Sequence, residues 1–147
     1  MEIQTQYHGV QVISNEEIID FPNGLPGFVD ETAFVMLPLP ENEVFQILQS
    51  CQTPSLAFVV TNPFHYFTDY DFALEENTLH SLHIKTEKDV LVYTILTVET
   101  PFERTTANLQ GPIIVNVRTR KGKQVILSDD KYKTKHALFQ EQANVKE

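Results

Sequence analysis

The run Val90-Leu91-Val92-Tyr93-Thr94-Ile95-Leu96-Thr97-Val98 is apolar, aromatic or β-branched at every one of its nine positions. Such residues suit a pleated strand, and an unbroken run without polar alternation requires cover on both faces. The run fits a central strand, or one curving round a barrel, and not a half-exposed edge. It is far shorter than the ~20 residues that cross a bilayer as a helix. A turn-rich segment, Thr106 to Pro112, follows it. Then come Ile113 to Thr119, a break at Arg120-Lys121-Gly122, and Lys123 to Leu127. The stretch from Val90 to Leu127 reads as strand, connection, strand, hairpin turn at Gly122, strand. The rest of the chain must pack on it.

The other segments supply suitable partners. Glu2 to Tyr7 alternates like a strand with one buried face, His8-Gly9 turns, and Val10 to Ile13 returns as a second arm. Ile18 to Phe21, Ala33 to Leu37, Val44 to Ser50 and Leu56 to Thr61 read as further strands, the last two paired. Between Pro22 and Phe28 lie two prolines and two glycines. This is a stiffened turn with Leu25 and Phe28 tucked inward, and it lacks the spacing of a phosphate loop. Glu75 to Ile84 is the best helix candidate. Asn108 is placed to cap a turn through nearby backbone N–H groups. Lys131 to Phe139 docks as a helical turn or an extended arm, and Gln140 to Glu147 is expected to fray. The fold expected is all-β, mostly antiparallel: a compact, small β-barrel-like domain over residues 1–139 with one or two short helices.

Charge is unevenly placed. The net charge is −9, yet residues 1–84 carry twelve acidic side chains and no Lys or Arg. Residues 85–147 carry eight acidic and eleven basic side chains. An acidic surface repels nucleic acid and anionic membranes and attracts basic proteins. The one basic cluster is Arg118, Arg120, Lys121 and Lys123. It opens an alternative, a barrel that binds single-stranded nucleic acid through a basic hairpin. The net charge and the lack of aromatics beside these residues favour a solvated tip instead.

No catalytic constellation is visible. Asp69 and Asp71 share a face in extended chain, but a catalytic carboxylate pair needs one cavity and separated pKa values. His80 and His83 are two potential ligands where Zn²⁺ takes three or four. Cys51 is the single cysteine, so no internal disulfide forms, which fits a reducing compartment. The first residues lack a signal-peptide pattern, and a cytoplasmic location is expected. The segment Phe64 to Phe72 holds five aromatics in nine residues beside Asp69 and Asp71. Aromatics anchor protein interfaces and charges steer the encounter. The candidate partner-binding residues are therefore Tyr66, Asp69, Tyr70 and Asp71, then Glu75 and Glu76. Glu41 and Glu43 in a loop come next, and Glu99 and Glu103 beside the Asn108 turn complete the set. No catalytic, cofactor or metal-binding residue is assigned.

Taken in order, several short motifs resemble the flagellar assembly factor FliW family. They are Phe21 with Gly24-Leu25-Pro26-Gly27-Phe28, Pro54-Ser55-Leu56-Ala57-Phe58-Val59-Val60 with Pro63, and Asp69-Tyr70-Asp71-Phe72. Thr106-Ala107-Asn108-Leu109 with Pro112-Ile113, and Gly122-Lys123-Gln124-Val125 through Leu127, continue the series. The chain departs from the pattern at Asn62 (often Asp), Gly111 (usually Ala) and Lys135 (commonly Arg). The resemblance implies a barrel-like β domain without an active site or cofactor. It implies binding to the CsrA-type translational repressor, away from that protein's RNA-contacting surface, and to flagellin, the two partners excluding each other. Direct nucleic-acid or membrane contact is not implied, and the free protein is expected to be a monomer.

Overall fold

The strand β7 (Val90–Thr97) has neighbours along both edges, which is why it tolerates an unbroken apolar run. The computed structural model describes residues 1–39 and 42–139. Its strands in chain order are β1 (Glu2–Gln4), β2 (Val10–Val12), β3 (Ile18–Asp20), β4 (Ala33–Leu39), β5 (Asn42–Ser50) and β6 (Ala57–Thr61). After β7 come β8 (Thr106–Ala107), β9 (Ile113–Asn116), β10 (Lys121–Gln124) and β11 (His136–Ala137). A helix α1 (Glu76–Ser81) lies between β6 and β7.

Seven strands close a barrel in the order β7-β6-β5-β4-β3-β10-β9 and back to β7. Six of these seven junctions are antiparallel; β3 and β10 meet in parallel at Asp20 and Lys121. β8 extends the far end of β7, and β11 pairs on β8. β1 and β2 form the expected hairpin. The barrel-like, all-β architecture read from the sequence is thus the one adopted.

Alternate residues of each central strand enter different cores. Phe34 of β4 points into a cluster with Ile19, Phe21, Leu48, Val60 and Ile113. Its neighbours Val35 and Leu37 join Ile3, Ile13 and Ile47, so the β1–β2 hairpin seals the outside of that part of the wall. On β5, Leu48 serves the first cluster, Ile47 the hairpin cluster, and Phe45 a third with Tyr70, Leu96, Leu109, Tyr132 and Leu138. Strands apolar on both faces need such two-sided cover. Among the described residues the outer layer is made mainly of loops and short strands, with α1 the one α-helix.

Two local expectations are revised and one open alternative is resolved. The turn between β9 and β10 lies at Val117–Arg120, not at Gly122. Asn116 makes it: its Oδ1 accepts N–H bonds from Arg118 at 2.8 Å and Thr119 at 3.3 Å, and its carbonyl accepts from Arg120 at 2.9 Å. Arg120 takes the left-handed φ of 58° that closes the turn. Gly122 is instead a buried strand residue opposite Val115, where an added Cβ would stand 2.7 Å from the Phe21 ring. Of the two side chains expected to tuck in at the Pro22–Phe28 turn, Leu25 is buried, whereas Phe28 is 40% exposed and packs edge-on against Phe58. Of the two forms expected for the segment after Lys131, the extended arm is the one adopted, with β11 in it.

Candidate partner-binding face

Immediately after β6 the chain turns through a 3₁₀ segment, Pro63–His65, capped by Asn62, whose side chain accepts the Phe64 N–H at 2.9 Å. This cap aims Tyr66 back across the barrel wall, where its ring stacks on Phe45 with centroids 6.1 Å apart. Phe45 meets Phe102 at 5.6 Å, Phe102 meets Phe139 at 5.5 Å, and Phe139 returns to Tyr66 at 6.1 Å. Four rings from four separate parts of the chain form one aromatic patch. Phe102 and Phe139 remain over a third exposed, so the patch is presented to solvent and not enclosed. Burial raises the Tyr66 hydroxyl pKa above its ordinary value, keeping the phenol neutral.

Glu99 and Glu103 belong to the same region. Glu103 sits in the 3₁₀ turn Phe102–Arg104 beside Phe102, and the Glu99 N–H donates to Thr105 Oγ1 at 3.1 Å to close the loop that carries both. Both glutamates are exposed. The structure therefore brings Tyr66 together with the loop of Glu99 and Glu103, residues that are remote in sequence.

Asp69 lies on a neighbouring depression of about 420 Å³, shared with Tyr66, Lys131, Tyr132 and His136. The 66–72 segment is pinned there from two sides. Tyr70 is 5% exposed and its hydroxyl donates to the Leu109 carbonyl at 2.6 Å. Burial, then the neighbouring Tyr132, push its pKa well up. Tyr70 thus offers a partner no contact surface; it holds the segment that does. The Tyr132 hydroxyl accepts the Asp71 N–H and donates to the Asp71 carbonyl, each at 3.0 Å.

The remaining expected residues are dispersed. Asp71 faces a separate groove of about 750 Å³. Glu75 borders a third hollow with Lys123, and Glu76 is exposed in the first turn of α1. Glu41, and the side chain of Glu43, lie outside the described residues. The sequence reading missed Phe45, Phe102 and Phe139, because Phe45 looked like an ordinary strand residue, Phe102 followed the proline that ends β7's run, and Phe139 closed the C-terminal arm. Phe102 next to Pro101 and Glu103 was the readable signal.

The basic cluster has a different fate. Arg118 Nε pairs with Asp89 at 3.1 Å, and an Arg120 guanidinium nitrogen donates to the Glu17 carbonyl at 3.0 Å. Lys121 reaches Asp20 at 3.5 Å and Lys123 reaches Thr78 Oγ1 at 3.4 Å. Arg118 first, through its side-chain hydrogen bond, and then the Lys85 N–H hold the Asp89 carboxyl below its ordinary pKa. Each of the four cations has an acceptor within the chain, which weakens the case for a phosphate-binding strip. Among the described residues no three His, Cys, Asp or Glu side chains converge, and no helix is long and apolar enough to cross a membrane.

Comparison with known proteins agrees with these features. The FliW protein family model matches residues 2–138. The flagellar assembly factor FliW of Geobacillus kaustophilus (strain HTA426) is 54% identical over 141 residues, covering 96% of this chain and 97% of that protein. The FliW of Bacillus subtilis (strain 168) is 49% identical over 138 residues, covering 94% and 96%. A crystal structure of the flagellar assembly factor FliW superposes with a TM-score of 0.92 at 51% identity, covering 97% of this chain and 99% of that one. Barrel, loops and full-length identity all point one way: the chain belongs to the FliW family of flagellar assembly factors.

Proposed function

We propose that this protein is a cytoplasmic, non-enzymatic regulator that binds a CsrA-type translational repressor and flagellin in mutually exclusive complexes. Binding the repressor away from its RNA-contacting surface relieves repression of flagellin synthesis. Free flagellin then displaces the repressor and lowers its own translation. Such a switch is a linked equilibrium whose direction is set by differential affinity and partner concentration. The observation that carries this reading is the exposed aromatic patch of Tyr66, Phe102 and Phe139 beside the loop of Glu99 and Glu103. Aromatic rings supply anchoring area and the carboxylates supply attraction for a basic partner. No Lys or Arg occurs before Lys85, and Arg104 is the cation in the turn that carries Phe102 and Glu103.

Titration of the purified protein with the repressor tests the reading. A complex at micromolar concentration that weakens with salt is expected. Added flagellin should release the repressor from it. Absence of any complex at low salt, with both proteins folded, would sink the proposal.

A further inference from the structure

Two segments on the barrel surface run past each other without pairing. Residues 71–75 lead into α1, and their side chains alternate between exposed and half-buried, as in a strand. Residues 125–128 continue β10 with the same alternation. Val125 and Leu127 donate their N–H groups to the Pro112 carbonyl at 3.0 Å and the Gln110 carbonyl at 2.8 Å. Successive residues of an extended chain turn their backbone groups to opposite edges, so Ile126 turns its own to the free edge. On the other segment Asp71 gives its N–H and carbonyl to the Tyr132 hydroxyl, and Ala73, two residues on, turns its groups the same way. Among the described residues neither Ala73 nor Ile126 has a backbone hydrogen-bond partner. Between them lies a hollow of about 290 Å³, to which Leu74, Thr78, Val125 and Leu127 also contribute.

The gap is held open at both ends. At one end the Lys123 ammonium reaches Thr78 Oγ1 at 3.4 Å, and at the other the Tyr132 hydroxyl reaches the Asp71 backbone at 3.0 Å. Whole side chains therefore span the distance between the segments, where directly paired strands lie about 4.8 Å apart. Thr78 and Tyr132 are buried, so these ties lie beneath the hollow and leave its outer side open. The order of the two ties makes the segments antiparallel, and residues 72–75 span roughly 14 Å at strand rise. Open backbone edges on two facing flanks match one ligand class, an extended peptide that offers its own alternating donors and acceptors. We propose that this slot takes an extended segment of a partner protein as an added strand between Ala73 and Ile126, with apolar side chains set down on Leu74 and Leu127. A second copy of this chain is a poor occupant, because each copy carries a net charge of −9. The inference rests on the reading of the protein as a partner-binding regulator and adds a backbone-paired contact to the aromatic patch.

The test uses the full chain and a peptide of alternating threonine and valine, blocked at both ends. NMR amide shifts and hydrogen exchange report where it binds. The Ala73 and Ile126 amides should exchange freely in the chain alone and slow on addition of the peptide. A peptide N-methylated at alternate residues keeps its side chains but loses one edge of donors, and should bind about tenfold more weakly. Ile126→Pro removes an N–H that bonds nothing in the chain, so circular dichroism should be unchanged while binding again falls about tenfold. Ile126→Ala keeps that N–H and should bind as the unaltered chain does. If Ile126→Pro fails to fold, the N-methylated peptide on the unaltered chain still decides. Slow exchange at both amides in the free chain would show the slot already filled, and protection that grows with protein concentration would assign it to a second copy. Each of these overturns the proposal, as do equal binding of the N-methylated peptide, shifts confined to the aromatic patch, or no binding at millimolar peptide. Failure of the peptide beside a repressor complex that Ile126→Pro leaves unchanged rejects the slot and keeps the functional reading. Peptide binding that depends on its amides, without any repressor or flagellin complex, does the reverse.

Discussion

The Tyr132 hydroxyl closes a double hydrogen bond onto the backbone of Asp71, accepting its N–H and donating to its carbonyl at 3.0 Å each. The contact ties the C-terminal arm to the segment that displays Tyr66 and Asp69. Tyr132 also meets Tyr70 edge-on with centroids 4.7 Å apart. Tyr132→Phe keeps the ring and removes only the hydroxyl, leaving two backbone groups without their partner. The expected loss is about 1–3 kcal/mol in urea denaturation. Repressor binding should also weaken, since the acidic segment loses a tether. Unchanged stability would mean that water replaces the hydroxyl without penalty.

Gly122 and Phe21 make a second prediction. A methyl group at position 122 would stand 2.7 and 2.8 Å from two ring carbons of Phe21 and 3.2 Å from Ile19 Cγ2. Both neighbours are fully or almost fully buried and cannot swing out. Gly122→Ala is expected to destabilise by about 1–3 kcal/mol through overpacking. Phe21→Leu should recover part of that loss in the double variant, although alone it destabilises. Additive effects in the cycle would show that the two positions do not communicate.

These two contacts also mark where the sequence was and was not legible. Alternation and apolar runs located the β1–β2 hairpin, the β5–β6 pair and β7, because burial of a strand face is a local property of the pattern. Asn108 read correctly as a cap: its Oδ1 accepts the N–H groups of Gln110 at 3.1 Å and Gly111 at 2.9 Å. Gly122 misled because glycine signals both a turn and a close approach, and the Phe21 ring that demands it comes from the end of the adjacent strand β3, which is remote in sequence. The site was harder for the same reason. Asp69, Asp71 and Glu75 are close in sequence but border three different hollows. Tyr66, Phe45, Phe102 and Phe139 are scattered in sequence but form one patch. Composition identified the residue types, while the barrel decided which of them meet.

His136 gives the arm a pH dependence. Its Nε2 accepts the Lys133 N–H at 2.8 Å, and its ring lies against Phe67 and Tyr132. Burial first, then the Lys133 charge, lower its pKa below the ordinary value near 6.5. The unfolded chain therefore takes up a proton before the folded one does. Stability from the neutral ring is fully present above pH 6.5 and is lost as pH falls from there through the folded-state value. Protonation also places a second N–H against the Lys133 donor. Thermal melts should fall between pH 7 and mildly acidic pH, and His136→Gln should remove that part of the slope. An identical slope in the variant would assign the dependence elsewhere.

The basic residues of the β9–β10 turn and of β10 supply a contrast between stability and binding. Arg118, Arg120, Lys121 and Lys123 each have an acceptor on the chain. Replacing all four with Ala should lower the melting temperature. Most of the effect should come from Arg118, which holds Asp89, itself the acceptor for the Lys85 and Thr86 N–H groups. The exposed Lys121–Asp20 pair should contribute at most about 1 kcal/mol. RNA binding is expected to be absent from both proteins at low salt. Binding that disappears in the alanine variant would instead restore the nucleic-acid reading, since loss of four phosphate contacts has a large salt-dependent effect.

Two double charge reversals separate the faces that the barrel keeps apart. Glu99→Lys/Glu103→Lys alters the rim of the aromatic patch, and Asp69→Lys/Asp71→Lys alters the segment pinned by Tyr132. All four side chains are exposed, so folding should be little affected. If the patch is the anchor for the repressor, the first pair should slow its association and steepen the loss of affinity with salt. Phe102→Ala, which removes the centre of the patch, should mainly raise the dissociation rate and cost about 2 kcal/mol or more of affinity, as loss of an interface anchor does. Because Asp69 and Asp71 border different hollows, the second pair should affect the repressor and flagellin unequally. Equal effects of both pairs on both partners, measured by surface plasmon resonance at two salt concentrations, would indicate one diffuse acidic field and no distinct faces.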